Sequence, residues 1–424
     1  MLTPLNKVSL AVTNPLHYVY YNQLFPTRAI AAKNGPASDS ADILGFDDVT
    51  YFDVESAPQA LIDNDDIESD YIAWKAVDTT KRVLGNAYDT AQRLESKVNI
   101  RHVVDASLFP KFVLIEANEV SKIDYGQLVN SLGSSSFVLQ IDHSTGGKGT
   151  FFIKDENDLK IVLPSLQESN QTVVASEYIK GTSRALQCFR YNGQTYFAPW
   201  WHKDLTSVEG VYNSAVDTAT KYCGAILENI PSKWISKIEN IIDEVNESLA
   251  AEDYYGVFGL DIVTDETNNV VYLIELNPRF TAVSHLYATA MRAVGYKNDF
   301  LTAHVEGLTQ ETVDTTVFNE NRMLPATYYY LKLQNLETTP MQLSDKCQLG
   351  VYDKNGTYLR LGWGIDALNS PNEIVVIPET AIGIEKKPGQ RTYSIIGFDD
   401  PLDSNSLNDE LKLLVRHLDS IFLI

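Results

Sequence analysis

The sequence predicts a mixed α/β (α+β) protein with an N-terminal α/β domain, a central region and a β-rich C-terminal unit. Three observations support this class. Strand-like and helical segments alternate from about residue 98, two apolar runs flank a polar turn at 259–279, and β-branched and aromatic runs recur after about 320. We therefore expect domains at 1–95, 96–320 and 321–424, with the central domain divided into 96–182 and 183–320.

The N-terminal part contains two strand candidates, at 7–12 and 47–54. The acidic stretch 62–70 is typical of a solvated loop or of the start of a helix. Residues 71–97 lack proline and hold one glycine, so a helix is compatible with them.

The central and C-terminal parts carry clearer periodic signals. Apolar residues at helical spacing predict an amphipathic helix over 233–250, and leucines on one face predict a final helix over 406–422. The C-terminal strand candidates are 327–333, 348–352, 358–363, 373–377 and 392–397.

Composition limits the possible functions. The net charge of −22 argues against non-specific nucleic-acid binding, and no apolar run is long enough to span a bilayer. Cys188, Cys223 and Cys347 form no Cys-x-x-Cys pair, which favours a reducing compartment without a zinc site. Because the first residues also lack the pattern of a signal peptide, we expect a cytoplasmic protein without a membrane partner.

The two apolar runs at 259–279 predict a β-hairpin that carries oxygen ligands. Glu275 and Asn277 are two residues apart and share a face of their strand, and a suitable register brings Asp261 to the same face. Two carboxylates and an amide oxygen suit Mg²⁺, whose shell substrate phosphates then complete. Pro278 ends the strand and places Arg279 beside this set. For Asp261 alone, a solvated acidic face is an open alternative.

The residues "LIELNPRF", preceded by "GLDIV", closely resemble the metal-binding hairpin of the ATP-grasp ligases. That resemblance implies a three-part ATP-grasp architecture with ATP and Mg²⁺, or alternatively Mn²⁺, as cofactors. It also implies that Glu275 and Asn277 bind the metal, that Asp261 helps, and that Arg279 contacts phosphate as a catalytic residue.

A glycine-rich loop precedes this hairpin in the chain, within "STGGKGT" at 144–150. Glycines let backbone N–H groups approach phosphate, but the loop lacks the Walker A pattern, and alone it also suits a structural turn. By the resemblance, the loop closes over the triphosphate. Gly146, Gly147 and Gly149 then supply flexibility, and Lys148 supplies charge for binding and catalysis.

Two further phosphate contacts are expected from the resemblance. Lys97 in "LESKVNIRHVV" corresponds to one of the family's lysines, although a solvated helix-face lysine is an equal alternative. The second lysine position holds Gln140, which can hydrogen-bond but cannot neutralise phosphate. Either Lys148 replaces that charge or nucleotide binding is atypical.

The strand "VVASEYIKG" resembles the family's adenine-binding hinge, with backbone groups of Glu177, Tyr178 and Ile179 at the adenine edge. The glutamate that often binds ribose is missing after this hinge. Arg184 stands nearby, and either a phosphate or substrate contact or a surface position suits it.

Two histidines are further candidates. His202 and Lys203 follow two tryptophans, which suits either a packed aromatic pair with solvated neighbours or a position near an acyl-phosphate. His285 follows the hairpin and is a candidate for facing the substrate as a catalytic group.

The resemblance covers roughly residues 90–300 and implies a ligase of amino acids or peptides. Such an enzyme activates a carboxylate as an acyl-phosphate and couples it to an amine, so its partners are small-molecule substrates and its products include ADP. The alternative is a non-catalytic ATP-binding protein that acts in regulation or interaction. For oligomeric state, a homodimer is only a prior expectation.

Overall fold

The computed structural model describes residues 8–11, 28–32, 48–52, 58–67, 70–144, 149–214, 222–309 and 312–424. Three larger sheets and the helices packed on them confirm the predicted α/β (α+β) class. No helix within these ranges is long and apolar enough to cross a membrane.

The N-terminal part contains a parallel sheet of four strands with the order β3-β2-β1-β4. Its elements are β1 (Val8–Ala11), β2 (Arg28–Ala32), β3 (Asp48–Phe52), α1 (Pro58–Asp63) and β4 (Asp70–Ala73). Both predicted strands of this part are confirmed. The expectation of a helix over 71–97 is wrong in its first part, because β4 pairs with β1, a distant segment that local periodicity does not reveal. Two short helices follow, α2 (Tyr88–Glu95) and α3 (Lys97–Val103).

A second sheet of four antiparallel strands comes next, with the order β5-β8-β6-β7. Its strands are β5 (Phe112–Ile115), β6 (Phe137–Ile141), β7 (Thr150–Ile153) and β8 (Val173–Glu177), and its helices are α4 (Tyr125–Leu132) and α5 (Glu156–Ser169). Apolar residues of the helices and strands share one core, which includes Leu132, Phe137 and Leu166. This sheet brings both ends of the glycine-rich loop together, because β6 and β7 flank that loop.

The largest sheet has eleven strands, with β10 paired to β9 beside the main order β14-β13-β9-β11-β12-β15-β21-β19-β17-β18. Its strands are β9 (Thr182–Tyr191), β10 (Gln194–Phe197), β11 (Trp200–Thr206), β12 (Tyr222–Asn229), β13 (Gly256–Asp265), β14 (Val270–Asn277), β15 (Tyr328–Gln334), β17 (Gly350–Asp353), β18 (Tyr358–Arg360), β19 (Glu373–Pro378) and β21 (Arg391–Phe398). The short pairs outside this sheet are β16 (Met341–Gln342) with β20 (Glu385–Lys386) and β22 (Leu402–Asp403) with β23 (Ser406–Leu407).

Helices cover both faces of the large sheet. The predicted helices near 233–250 and 406–422 are confirmed as α6 and α9. The bounds are α6 (Ser232–Ala251), α7 (Ser284–Ala293), α8 (Phe300–Thr309) and α9 (Asp409–Phe422). Residues of α7 and α8 pack on one face with Trp200, whereas α6 and α9 belong to cores that contain Trp201 and Ile226. Because side chains alternate along a strand, these cores lie on opposite faces.

The sheet does not stop where the β-rich C-terminal unit begins. Strand β12 pairs with β15, and β21, β19, β17 and β18 extend the same sheet. The division into domains at 320 therefore stays a prediction, while the surface of the sheet is continuous from the hairpin to the last strands.

Candidate active site

The hairpin of β13 and β14 brings three oxygen-bearing side chains together. Asp261 lies directly opposite Glu275, and Gly259 lies opposite Asn277, with a register shift just after Asp261. The Asn277 amide donates a hydrogen bond to Asp261 Oδ2 at 3.3 Å. We call the sheet face that carries these side chains the Asp261 face.

The two carboxylates repel each other in a partly buried place. Burial and the charge of Glu275 raise the pKa of Asp261, and burial also raises the pKa of Glu275. A divalent cation held by both carboxylates would relieve this repulsion. The described ranges hold no cluster of three His, Cys, Asp or Glu, so the donors here are two carboxylates and one amide. This set fits Mg²⁺ bound with substrate phosphates, although the metal-binding roles stay predictions.

Lys97 connects the hairpin to the glycine-rich loop. Its side chain is 1% exposed, and Nζ lies 3.6 Å from Glu275 Oε2. The same ammonium donates to the backbone carbonyls of Asp142 at 3.2 Å and Ser144 at 3.0 Å, at the start of the loop. A buried ammonium at this junction is well placed to meet phosphate, and this excludes the alternative of a solvated helix face.

Asp142, which the sequence analysis missed, fixes the position of Lys97. Its Oδ1 accepts hydrogen bonds from Ser96 Oγ at 2.8 Å and from Val98 N at 3.0 Å. Ser96 is the N-cap of α3 and also accepts from Asn99 N. A carboxylate at a helix N-terminus is favourable, so Asp142 joins β6 to α3. The sequence could have predicted Ser96 as a helix N-cap, but it gives no sign that Asp142 is the distant partner of Ser96.

Arg279 lies beside the oxygen ligands, as the hairpin sequence suggested. Its Nη2 donates to Asn277 Oδ1 at 2.8 Å, and its Nε donates to Glu95 Oε1 at 3.1 Å. Glu95, at the end of α2, is a second residue that sequence reasoning missed. A phosphate that binds Arg279 has to replace or share these contacts.

Only the end of the glycine-rich loop can be described. Gly146, Gly147 and Lys148 lie outside the described residues. At Gly149, an added Cβ would stand 2.5 Å from the Ser144 side chain, so glycine is needed for this close approach. Gln140 is buried on β6, paired with Thr150 and Val174.

The hinge after β8 presents one exposed aromatic side chain. Tyr178 is 44% exposed and meets Phe152 edge to face at 6.0 Å, while its backbone N–H donates to Ser136 O. Glu177 ends β8 opposite Phe137, and Ile179 O accepts from the N–H of the glycine two residues later. The adenine contacts of Glu177, Tyr178 and Ile179 stay predictions.

Arg184 is not brought to the oxygen ligands. It pairs with Ile262 on β13, so its side chain leaves the sheet on the opposite face from Asp261. Its guanidinium lies 2.9 Å from Glu228 Oε1 and 5.2 Å from the centre of the Trp201 ring. These contacts suit a structural role, and the expectation of a nucleotide contact gains no support from them.

His202, in contrast, lies on the Asp261 face. It pairs with Ala185, the residue opposite Asp261 on β9. Its Nδ1 lies 3.2 Å from the Tyr287 hydroxyl and its Nε2 lies 3.6 Å from Asp204 Oδ1. Burial, and to a smaller extent the charge of Arg184, lowers the pKa of His202 to about 3, so the ring is neutral at physiological pH. Desolvation raises the pKa of Asp204 to about 6.

His285 lies at the start of α7, where it is buried against the sheet. Its ring meets Tyr330 of β15 edge to face at 5.0 Å. It therefore lies on the helix side of the Asp261 face, in contact with a C-terminal strand. Its proposed substrate role stays a prediction. Lys203, next to His202, alternates to the other face.

Comparison with known proteins agrees with this geometry. Residues 120–283 match the family model described as ATP-grasp domain. The D-alanine–D-alanine ligase of Petrotoga mobilis is 27% identical over 164 residues, which are 37% of this chain and 51% of that protein. The match thus spans about half the length of this curated relative.

Solved structures extend the likeness over the whole fold. The L-amino acid ligase of Bacillus licheniformis has a TM-score of 0.59 at 10% identity, with 100% of this chain and 99% of that chain covered. The biotin carboxylase domain of the 2-oxoglutarate carboxylase of Hydrogenobacter thermophilus has a TM-score of 0.64 at 11% identity, covering 94% and 87%. Residues 120–283 therefore match the ATP-grasp domain, and the chain as a whole shares the fold of these solved structures.

Proposed function

We propose that this chain is an ATP-dependent ligase that activates a carboxylate as an acyl-phosphate and couples it to an amine, with release of ADP and phosphate. The observation that carries the proposal is the meeting of Asp261, Glu275 and Asn277 on one hairpin, with Lys97 and Arg279 beside them. The similarity to a D-alanine–D-alanine ligase and to the fold of an L-amino acid ligase supports it.

In this proposal, charged side chains of the protein surround the site of phosphoryl transfer. Asp261, Glu275 and Asn277 would hold Mg²⁺, which would supply Lewis-acid charge for the phosphates of ATP. Lys97 neutralises phosphate charge at the base of the glycine-rich loop, and Arg279 holds the oxygens of the transferred group. Burial of the set strengthens these electrostatic interactions.

The remaining assignments follow the same scheme. Residues 1–95, 96–320 and 321–424 would form the N-terminal, ATP-grasp and C-terminal domains, and the substrates would be amino acids or peptides. The described residues form no disulfide, and all three cysteines are buried, which supports a reducing compartment such as the cytoplasm.

The second candidate is an ATP-binding protein without catalysis, and Gln140 in place of a lysine favours it. The two functions differ in turnover. We expect the purified chain with ATP, Mg²⁺ and pairs from an amino-acid panel to release ADP and phosphate only with accepted substrates. Saturable ATP binding without release for any pair would instead establish the non-catalytic function.

The metal assignment is tested by Glu275→Ala and Asn277→Ala. Each removes a proposed oxygen ligand of the Mg²⁺ that would hold the phosphates of ATP, so we expect turnover to fall about 100-fold or more. Glu266→Ala is the matched control, because Glu266 lies on the turn of the same hairpin and pairs with Lys233 on the surface. Thermal unfolding of each variant checks the fold. Near-normal turnover in either ligand variant would show that the assignment is wrong.

A further inference from the structure

Asp204 is an acidic side chain on the Asp261 face that takes no part in the proposed metal site. It lies two residues after His202 on β11. His202 pairs with Ala185 on β9, and Ala185 pairs with Asp261 on β13. Residues paired across strands share a face, and so do residues two apart on one strand. Two strand spacings of about 5 Å and one step of about 7 Å along β11 therefore put the backbone positions of Asp204 and Asp261 roughly 12 Å apart.

The oxygens of Asp204 are open to a ligand. Glu95, another acidic side chain near the hairpin, already accepts a hydrogen bond from Arg279. Asp204, in contrast, accepts no hydrogen bond from any residue that the structure describes. The described group nearest to its carboxylate is the ring of His202, with 3.6 Å between Nε2 and Oδ1. A donor on a substrate can therefore approach Asp204 without displacing a protein partner.

The Asp204 carboxylate lies on the wall of a cleft. Its side chain keeps 45% of its surface exposed, yet desolvation by the surrounding protein raises its pKa to about 6. A group that is open on one side and enclosed on the others has both properties. At neutral pH such a carboxylate is mostly ionised, and it is a stronger base than an aspartate in water.

The charge of Asp204 is not neutralised by the protein. No lysine or arginine in the described part of the chain forms an ion pair with it. The titratable groups that face it from its own strand and from the neighbouring elements are His202 on β11, Tyr222 on β12, Asp261 on β13, Tyr287 on α7 and Tyr330 on β15. None of these groups carries a positive charge at neutral pH, so Asp204 attracts a cation such as an ammonium.

A buried histidine and a buried tyrosine hold Asp204 in place. His202 is 4% exposed, and its Nδ1 lies 3.2 Å from the Tyr287 hydroxyl. Because burial lowers the pKa of His202, its ring is neutral and carries one proton. The carboxylate beside Nε2 favours the tautomer with the proton on Nε2, so Nδ1 accepts a hydrogen bond from the Tyr287 O–H. His202 thus points an N–H at Asp204 without placing a charge there.

We propose that Asp204 is the general base that takes a proton from the ammonium group of the amine substrate, with His202 and Tyr287 as positioning residues. The role of Asp204 rests on the proposed ligase function, in which an amine attacks the acyl-phosphate. An α-amino group is mostly protonated at neutral pH, and an ammonium has no lone pair with which to attack.

The proposed step moves one proton to Asp204 and a second proton to the leaving group. The ammonium gives its first proton to the Asp204 carboxylate, and the freed lone pair forms a C–N bond to the acyl carbon. The bond between that carbon and the phosphate oxygen breaks. The nitrogen then loses its second proton to the departing phosphate, which leaves as hydrogen phosphate. Asp204 returns its proton to water after the amide leaves.

The spacing on the Asp261 face suits this step. In a reactive arrangement, the amine nitrogen lies about 3 Å from the acyl carbon, and the base lies about 3 Å from that nitrogen. The acyl carbon is itself joined to the phosphate at the hairpin. This line of groups fits within the roughly 12 Å between the hairpin and Asp204.

Hydroxylamine and an amino-acid amine that the wild type accepts are the paired probes that test this role. Hydroxylamine is largely unprotonated at neutral pH and needs no base, so it traps an acyl-phosphate as a hydroxamate. In Asp204→Asn we expect kcat for amide formation to fall about 100-fold or more, while hydroxamate formation stays near the wild-type rate. The loss should shrink as the pH rises, because more of the amine is then unprotonated in solution. Asp243→Asn, at an exposed position of α6, is the control.

Tyr287→Phe tests the positioning role, because it removes the hydroxyl and keeps the buried ring. We expect it to lower the rate of amide formation in the wild type but to cause no further loss in Asp204→Asn, since residues that act through one group are not additive. Additive losses would overturn the positioning role. An open carboxylate without hydrogen bonds contributes little to stability, so Asp204→Asn should keep its melting temperature. Asp204→Ser replaces it in the test if the asparagine variant does not fold.

The same assays separate the role of Asp204 from the ligase function. Unchanged amide formation in a folded Asp204→Asn, a loss confined to KM, or equal losses of amide and hydroxamate would overturn the general base and leave the ligase function intact. A wild type that forms neither product with any carboxylate and amine of the panel would overturn the ligase function, and the role of Asp204 falls with it.

Discussion

A buried neutral histidine makes the stability of the fold depend on pH. His304 on α8 accepts a hydrogen bond from Val257 N at 3.2 Å through Nδ1. Its ring fits over Gly256, where a Cβ would stand 2.1 Å from Nδ1, and packs against Phe280 at 4.9 Å. Burial lowers the pKa of His304 to about 3.

The sign and size of the effect follow from proton linkage. Between pH 6.5 and 3 the unfolded chain binds a proton at this residue and the folded chain does not, so stability falls as the pH falls. With an unfolded pKa of about 6.5 and a folded pKa of about 3, His304 alone costs about 2 kcal/mol between pH 7.5 and pH 5.

His304→Asn measures this contribution. Its amide oxygen can still accept from Val257 N, but the variant cannot titrate, and lost ring packing lowers its stability at every pH. Urea unfolding measures the free energy of unfolding of the wild type and of His304→Asn at pH 7.5 and pH 5. The loss of stability between the two pH values is then compared between the two proteins, so the contributions of all other titrating groups cancel. We expect the loss between the two pH values to be smaller by about 2 kcal/mol in His304→Asn. Equal losses in both proteins would refute a neutral buried His304.

Two further predictions concern contacts that join parts of the chain. Gly224→Ala should lower stability by more than about 3 kcal/mol in thermal unfolding, because φ is +144° and a Cβ would stand 1.9 Å from Tyr330 O. Gly193→Ala, at φ +82° with open space around it, should cost only about 1 kcal/mol. Asp142→Ala should cost about 2–4 kcal/mol in urea unfolding and weaken ATP binding, because α3 loses two hydrogen bonds to that carboxylate. Asp105→Ala, which removes an exposed cap, is the control at about 1 kcal/mol with unchanged ATP binding, and similar effects of both variants would contradict the positioning role.

Local patterns were enough to predict much of the fold. Two apolar runs rich in β-branched residues around a polar turn located the hairpin, and helical spacing of apolar residues located α6 and α9 within a few residues. These predictions succeed because the apolar residues on the buried face of each element lie within the sequence of that element itself. The strand at Asp70–Ala73 escaped prediction because a four-residue apolar run has no readable period, and its partner β1 lies about sixty residues away.

The site was predictable only where its residues share one strand pair. Spacing of two on β14 put Glu275 and Asn277 on one face without knowledge of the rest of the chain. Asp142 and Glu95 could not be found in this way, because their partners Val98 and Arg279 come from other elements, and packing alone sets those contacts. Lys332 is a similar case, because a lysine within the apolar strand "YYYLKLQ" is rarely buried without a partner, and its partner Glu379, 3.9 Å away, comes from another segment.

The distribution of charge on the Asp261 face limits what the site can accept. At the hairpin, Asp261 and Glu275 repel each other. At β15, the Lys332 ammonium already has an anion beside it, because Glu379 Oε1 lies 3.9 Å from its Nζ. A ligand that relieves the repulsion at the hairpin has to bring positive charge there. Magnesium phosphate meets this condition in the proposed function, whereas a phosphate without a cation leaves the repulsion between Asp261 and Glu275 in place.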